Sequence, residues 1–300
     1  MRKSAIALAV TAGLFASAAT YADTTFYGSF RTDVFMSDPD APGTDATWGV
    51  QDAGSRWGVR GAEDLGSGLS ATYQLEARVN SGAFNQGFGG PAFGGRLLWM
   101  GLEGGFGAAR IGTQWTPYYI DVIGRLDLFN SIGIFDNNYT SVYRANNALL
   151  YQTPASLDMF KFAAMATLDG NAGTRDFDTY NLAVSTNFGP AGIGLAYLSN
   201  EFTDQDQWAI AADVSFAGAT LMASYEDFDG DVDFIQVYGD YTFGNNIIRA
   251  QWGRTDNGSS TDDFGVGFQH NLSARTRVWA EYADLDEVEK QFSLGMRHDF

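Results

Sequence analysis

The chain contains no cysteine and only two histidines, His270 and His298, among its 300 residues. The first absence excludes a disulfide-stapled module and any Cys-ligated metal site. The second leaves histidine-rich metal centres and most His-based catalysis with little to work with. Basic residues are scarce as well: 18 Lys and Arg stand against 36 Asp and Glu, a formal net charge of −18. That balance argues against a nucleic-acid partner, because phosphate contacts need Lys and Arg. A G-x-S-x-G nucleophile motif is missing, which removes the usual starting point for an esterase or lipase reading. Long hydrophobic runs are absent beyond residue 22. The uncharged stretch 179–200 is interrupted by Asn181, Asn187, Gly189 and Pro190, and reads as two strands joined by FGPAG rather than as a spanning helix.

What is present begins at the N-terminus. Arg2 and Lys3 precede an uncharged run from Ala5 to Ala19, and Thr20-Tyr21-Ala22 offers small residues before a cut ahead of Asp23. This has the form of a secretory signal peptide over residues 1–22. An N-terminal membrane anchor competes with it, but the run falls short of the ~20 apolar residues that a spanning helix needs. Removal of the leader leaves 300 − 22 = 278 residues, and the loss of Arg2 and Lys3 takes the formal charge from −18 to −20.

The rest of the chain alternates with period two. Phe26, Gly28 and Phe30 alternate with Tyr27, Ser29 and Arg31; Ile248, Ala250 and Trp252 alternate with Arg249 and Gln251. In the closing QFSLGMRHDF, Phe292, Leu294, Met296, His298 and Phe300 share one parity, and Gln291, Ser293, Gly295, Arg297 and Asp299 the other. A soluble sandwich with one solvated face gives the same period. Aromatics at strand ends, such as Tyr241 and Phe243 before Gly244, fit the girdles of a membrane barrel instead.

The connections alternate too. Seven short turns are expected, at 64–68, 104–107, 153–156, 188–192, 216–219, 243–246 and 270–274. Eight longer polar segments separate them, near 37–54, 81–95, 114–140, 169–177, 200–206, 228–232, 255–262 and 284–290. Together they predict sixteen antiparallel strands, an even number with both ends on the short-turn side, and a barrel of that size leaves an aqueous channel.

SRWGVRGAEDLGSGLSATYQLE (55–76), RLLWMGLEGGFGAARIGTQWTPYY (96–119), RANNALLYQTP (144–154), NLSARTRVWAEYADL (271–285) and the terminal MRHDF resemble the general-diffusion porins of Gram-negative bacteria, most closely the neisserial and related proteobacterial branch. The resemblance covers essentially residues 23–300. It implies an all-β, 16-stranded antiparallel transmembrane β-barrel of the outer membrane, with a long third loop folded into the lumen and three barrels per homotrimer. It also implies contact with outer-membrane lipid and lipopolysaccharide, recognition by the barrel-assembly machinery through Phe300, passage of small hydrophilic solutes and ions, and no enzyme activity.

The third loop is the segment 116–140. Its apolar content, including Tyr118, Ile123, Leu126, Ile132, Ile134 and Phe135, suits a loop packed on an inner wall. Its acids Asp121, Asp127 and Asp136 are the candidates for the narrowest point. The family pattern supplies the opposite wall with Arg56, Arg96 and Arg144, and strand parity adds Arg31. Arg96 shares its parity with Leu98, Met100 and Leu102, which predicts a partly apolar inner wall there. The four aspartates Asp227, Asp229, Asp231 and Asp233 resemble a calcium loop, but Gly230 is misplaced for an EF-hand. The segment reads as an Asp-Gly hairpin turn that could hold a weakly bound surface Ca2+; no other cofactor is expected. On selectivity, the arginine cluster favours anions and the acidic loops favour cations. The charge imbalance tips the expectation to a weak cation preference that fades with salt. A substrate-specific channel for a sugar, phosphate or carboxylate is the alternative function.

Overall fold

The structure is a computed structural model that describes residues 22–80, 92–139, 141–154, 157, 159–168, 177–201 and 203–300. The leader reading falls almost wholly on residues outside that set. Within it, one sheet is built from β1 (Ala22–Pro39), β2 (Thr47–Asp52), β3 (Arg56–Gly66), β4 (Leu69–Val79), β5 (Phe93–Gly104), β6 (Gly107–Trp115), β7 (Arg144–Gln152), β8 (Lys161–Leu168) and β9 (Phe177–Phe188), and continues through β10 (Ala191–Asn200), β11 (Gln205–Phe216), β12 (Ala219–Phe228), β13 (Val232–Phe243), β14 (Asn246–Asp256), β15 (Ser260–Asn271), β16 (Thr276–Leu285) and β17 (Glu289–Asp299). No helix among the described residues is long and apolar enough to cross a membrane.

Neighbours in sequence pair antiparallel all the way round. β1 meets β3 over Ala22–Ser29 and β2 over Thr32–Ser37, so β2 and β3 are two halves of one stave interrupted at 53–55. The sheet closes where β1 pairs with β17, from Ser29 opposite Asp299 to Pro39 opposite Glu289. The result is a closed sixteen-stranded antiparallel barrel, as the alternation of turns implied. Closure leaves no edge of unpaired N–H and C=O groups, which is the condition for strands to sit in hydrocarbon.

The two faces are inverted relative to a water-soluble protein. Phe26, Phe30, Val34, Leu98, Met100, Leu221, Ile248 and Leu294 are exposed, whereas Ser29, Asp33, Glu76, Gln236, Gln251, Glu281 and Ser293 are buried. Such a molecule is consistent only with an apolar solvent outside. Phe300 belongs to the apolar set: its ring lies 5.8 Å from Phe26 and 5.2 Å from Phe30. Gly28 exchanges both backbone hydrogen bonds with it, and a Cβ at position 28 would stand 2.2 Å from the Phe300 ring. Only glycine lets the ring lie flat on β1.

Three local expectations are refined. The β12–β13 connection is a hairpin with Asp229 and Gly230 at φ 57° and 70°, the left-handed pair that a two-residue turn needs. The expected tight turn at 153–156 lies partly outside the described residues; β7 ends at Gln152 and β8 begins at Lys161, and the Thr186 hydroxyl donates to Met159 O just before β8. The partly apolar inner wall expected beside Arg96 is not there. In the β4–β5 ladder Glu76 faces Leu97 and Ala77 faces Gly95, so Arg96 is the extra residue of a β-bulge. The bulge resets the parity of β5. Arg96 bonds Glu76 on the polar face while Leu98, Met100 and Leu102 stay exposed on the apolar one.

The long connection between β6 and β7 lies against the polar face of the sheet. Its first half coils through Tyr118–Val122 and Ile123–Leu126 and packs Val122, Ile123 and Leu126, all fully buried, against Ala183, Ala196, Ala209 and Ala211. Alanines on one face of three adjacent strands, β9 to β11, clear the room for those larger side chains. Burial of three aliphatic side chains at roughly 1.5–3 kcal/mol each fixes this half firmly. Its second half carries a short helix, Ile134–Asn137, and packs Ile132 and Ile134 on Ala283 and Leu285.

Candidate functional site

Between that connection and the sheet lies a cavity of about 950 Å³. The period-two pattern of the strands aims arginines into it. Arg31 on β1, Arg56 on β3, Arg96 on β5 and Arg144 on β7 all line it, and so do Arg249, Arg277 and Arg297 from β14, β16 and β17. Arg277, Arg297 and Arg31 stand opposite one another in the strand register and form a lateral row. Asp299 offsets two members of that row, at 3.1 Å from Arg277 and 2.7 Å from Arg297. Glu76 holds Arg96 at 2.6 Å. No ion pair among the described residues engages Arg31, Arg56 or Arg144. The Arg31 Nε donates to Ser29 Oγ at 3.0 Å, and the Arg144 guanidinium lies 4.7 Å over the Trp115 ring.

The facing connection contributes Asp127 and Asp136 to the same space. Asp127 accepts from the Tyr119 hydroxyl at 2.5 Å, and Asp136 accepts from the Tyr143 hydroxyl. Enclosure by protein pushes the Asp127 carboxyl above the usual aspartate range; the Tyr119 bond opposes that shift, Asp136 adds to it, and Arg31 and Arg56 oppose it. Burial, and after it the same two carboxylates, drives the Tyr119 and Tyr143 hydroxyls upward, so both remain donors. Arg125, from the connection itself, reaches across to Asp213 on β11 at 2.5 Å.

Asp121 stands apart from this group. It is buried, and its carboxylate is on Lys161 Nζ rather than among the residues lining the cavity. Of the seven side chains proposed from sequence for the narrow point, six line one space. Arg249, Arg277 and Arg297 were not singled out, although Arg249 and Arg297 shared the polar parity of their strands; that parity was a sufficient signal. Arg125 and Asp213 had none, because their pairing spans 88 positions of the chain.

The connection is held to the wall largely by carboxylates. Glu281 accepts from the backbone N–H groups of Asn130 and Ser131, at 2.9 and 3.1 Å. Asp33 accepts from the Ser131 hydroxyl, and Gln291 Oε1 accepts from Gly133 N at 2.7 Å. Asp263 accepts from the side-chain amides of Asn137 and Asn138 at 2.6 Å. Among the described residues no three acidic or histidine side chains converge as metal ligands, the Asp227–Asp233 group included.

The family model of the Gram-negative porins matches residues 4–290. The chain belongs to that family. This porin is 36% identical over 343 aligned positions to the major outer membrane protein P.IB of Neisseria meningitidis, covering all of both chains. It is 29% identical to outer membrane porin protein 32 of Delftia acidovorans, covering 99% of this chain and 93% of that one. Among solved structures, an anion-selective porin from Comamonas acidovorans superposes with a TM-score of 0.78 at 22% identity, over 93% of this chain and all of the other. A Vibrio cholerae outer membrane protein in trimer form gives a TM-score of 0.70 at 17% identity, over 93% of this chain and 99% of that one. The porin is a channel of the outer membrane, and its family and fold are those of channels, not enzymes.

Proposed function

We propose that this porin passes ions and small hydrophilic solutes by passive diffusion, and that the β6–β7 connection lies inside the lumen and narrows it. The observation that carries the reading is the gathering of Arg31, Arg56, Arg96 and Arg144 opposite Asp127 and Asp136 around one cavity. Charges of opposite sign across a narrow space produce a transverse field that orders water. A permeating solute must displace that water, so polar solutes pass and apolar ones gain little. The functional unit is a homotrimer embedded in outer-membrane lipid and lipopolysaccharide, in keeping with the trimer form of the Vibrio relative. Phe300 is the assembly signal, and any calcium bound at Asp227–Asp233 is peripheral.

The arginines outnumber the acids around the cavity, and three of them have no carboxylate partner among the described residues. The narrow point therefore favours anions, while the −18 charge of the whole chain favours cations from a distance. Reconstitution into planar bilayers tests the function. Stepwise conductance in groups of three is expected from folded protein. Closed membranes from correctly folded protein would overturn the reading, and saturable block by one solute at micromolar concentration would replace it with a substrate-specific channel.

A further inference from the structure

We infer that Asn138, seated in a socket above Gly253, is a positioning residue that holds the Asp136 turn at the narrow point. This rests on the reading of the β6–β7 connection as the constricting loop. Asn138 is wholly buried, although it belongs to a connection and carries a polar side chain. Every polar atom of its amide is engaged. Nδ2 donates to Ile134 O at 3.0 Å and to Asp263 Oδ2 at 2.6 Å. Oδ1 accepts from the Thr255 hydroxyl at 3.2 Å. Its backbone carbonyl accepts from Gln236 Nε2 at 3.0 Å, and Gln236 is held in turn by Gln251 at 2.7 Å.

The floor of the socket is the backbone of Gly253 in the middle of β14. A Cβ there would stand 2.4 Å from Asn138 Nδ2 and 2.6 Å from its Cγ. The amide is the end of a side chain, but three hydrogen bonds fix its plane, so it cannot turn aside without breaking them. The neighbours that face it from β13 to β15 are Gln236, Thr255 and Asp263, which are donors or acceptors matched to this one residue. A generic packing contact would not need that match.

The position explains the function. Asn138 immediately follows the helix Ile134–Asn137, whose exposed member is Asp136 on the cavity. Pinning Asn138 therefore holds the turn that carries Asp136, beside the contacts of Glu281, Gln291, Ile132 and Ile134 that anchor the preceding residues. The first half, with Tyr119 and Asp127, is held separately by the aliphatic cluster on the alanine face. Loss of the socket should loosen the Asp136 turn and leave the first half of the constriction in place.

The experiment compares Gly253→Ala, Asn138→Ala and the double variant in planar bilayers, with heat-modifiability of the oligomer as the folding control. Gly253→Ala and Asn138→Ala should each raise single-channel conductance in 1 M KCl by about a quarter or more and add open-channel noise, with wild-type levels of folded protein. The double variant should be no worse than Asn138→Ala alone, because the collision disappears with the amide. Additive effects, or wild-type conductance and noise in either folded single variant, would overturn the assignment. If Gly253→Ala does not fold, Asn138→Ala alone decides it, with Asn138→Asp as the test of the amide donor: it should behave like the alanine variant, because it places a carboxylate against Asp263. Wild-type protein that forms no channels would instead count against the pore reading itself.

Discussion

At the scale of the residue, Asp127 is the group whose chemistry and position are most informative. Its carboxyl is enclosed and holds its proton to higher pH than a free aspartate, for which the ordinary value is ~3.9. As pH falls, it is neutralised earlier than a free aspartate would be, and one negative charge leaves the proposed narrow point. The cation-to-anion permeability ratio, measured in 1 M salt to suppress distant charges, should therefore drop at a pH above the usual aspartate range. In Asp127→Asn that step should vanish, with the ratio already lowered at pH 7. Arg144→Ala should move the ratio the opposite way, since it removes a cation with no carboxylate partner; an unchanged reversal potential in either variant would place that side chain off the ion path. The stability sign follows the same shift. A carboxyl with a raised pKa favours the fold below the ordinary value and loses that contribution as pH rises through the raised one, so Asp127→Asn should not lower the unfolding temperature at pH 7.

At the scale of the element, the seam between β1 and β17 is the test case. Phe300 lies between Phe26 and Phe30, over a glycine that has no alternative. Aromatic pairs of this kind contribute about 0.5–1.5 kcal/mol each beyond burial. Phe300→Asp removes both and puts a carboxylate on the apolar face, so folded, heat-modifiable protein in the outer membrane should fall several-fold while export continues; normal amounts would show that the terminal ring is dispensable. Elements of this kind were legible in the sequence because each strand repeats a period of two, and fifteen connections of alternating length count the staves. What could not be read is what depends on a single inserted residue or on distant pairing. The bulge at Arg96 looks like an apolar wall until the ladder across from it is known. The wall partners of the third loop, Glu281, Asp263 and Gln236, lie some 100–150 positions from the residues they hold, as in the 151-position separation of Asn130 and Glu281. Asp121 was placed by its loop, but its neighbour Lys161 decides where it sits.

At the scale of the whole molecule, the proposed function implies two fields of opposite preference. The arginine side of the cavity acts at contact distance, whereas the acids of the loop ends act over the screening length, which shrinks from ~30 Å at 0.01 M to ~3 Å at 1 M salt. The expected outcome is a weak cation preference at 0.01 M salt that gives way to anion preference at 1 M. Reversal potentials across a fixed gradient at the two ends of that range check it. A preference that does not change with salt would assign selectivity to the narrow point alone.

The closing seam also sets the order of events before any channel exists. Ser29 and Asp299 are partners although 299 − 29 = 270 positions separate them. Until those two strands meet, β1 and β17 each present a row of unsatisfied amides, and every such group costs several kcal/mol in hydrocarbon. The staves therefore cannot enter a bilayer one at a time as spanning helices do. A chain leaving the translocation machinery must be kept soluble and unzipped, with its aromatic face shielded from water, until both ends of the sheet are available together. Closure of such a barrel therefore depends on a meeting of its two extremities.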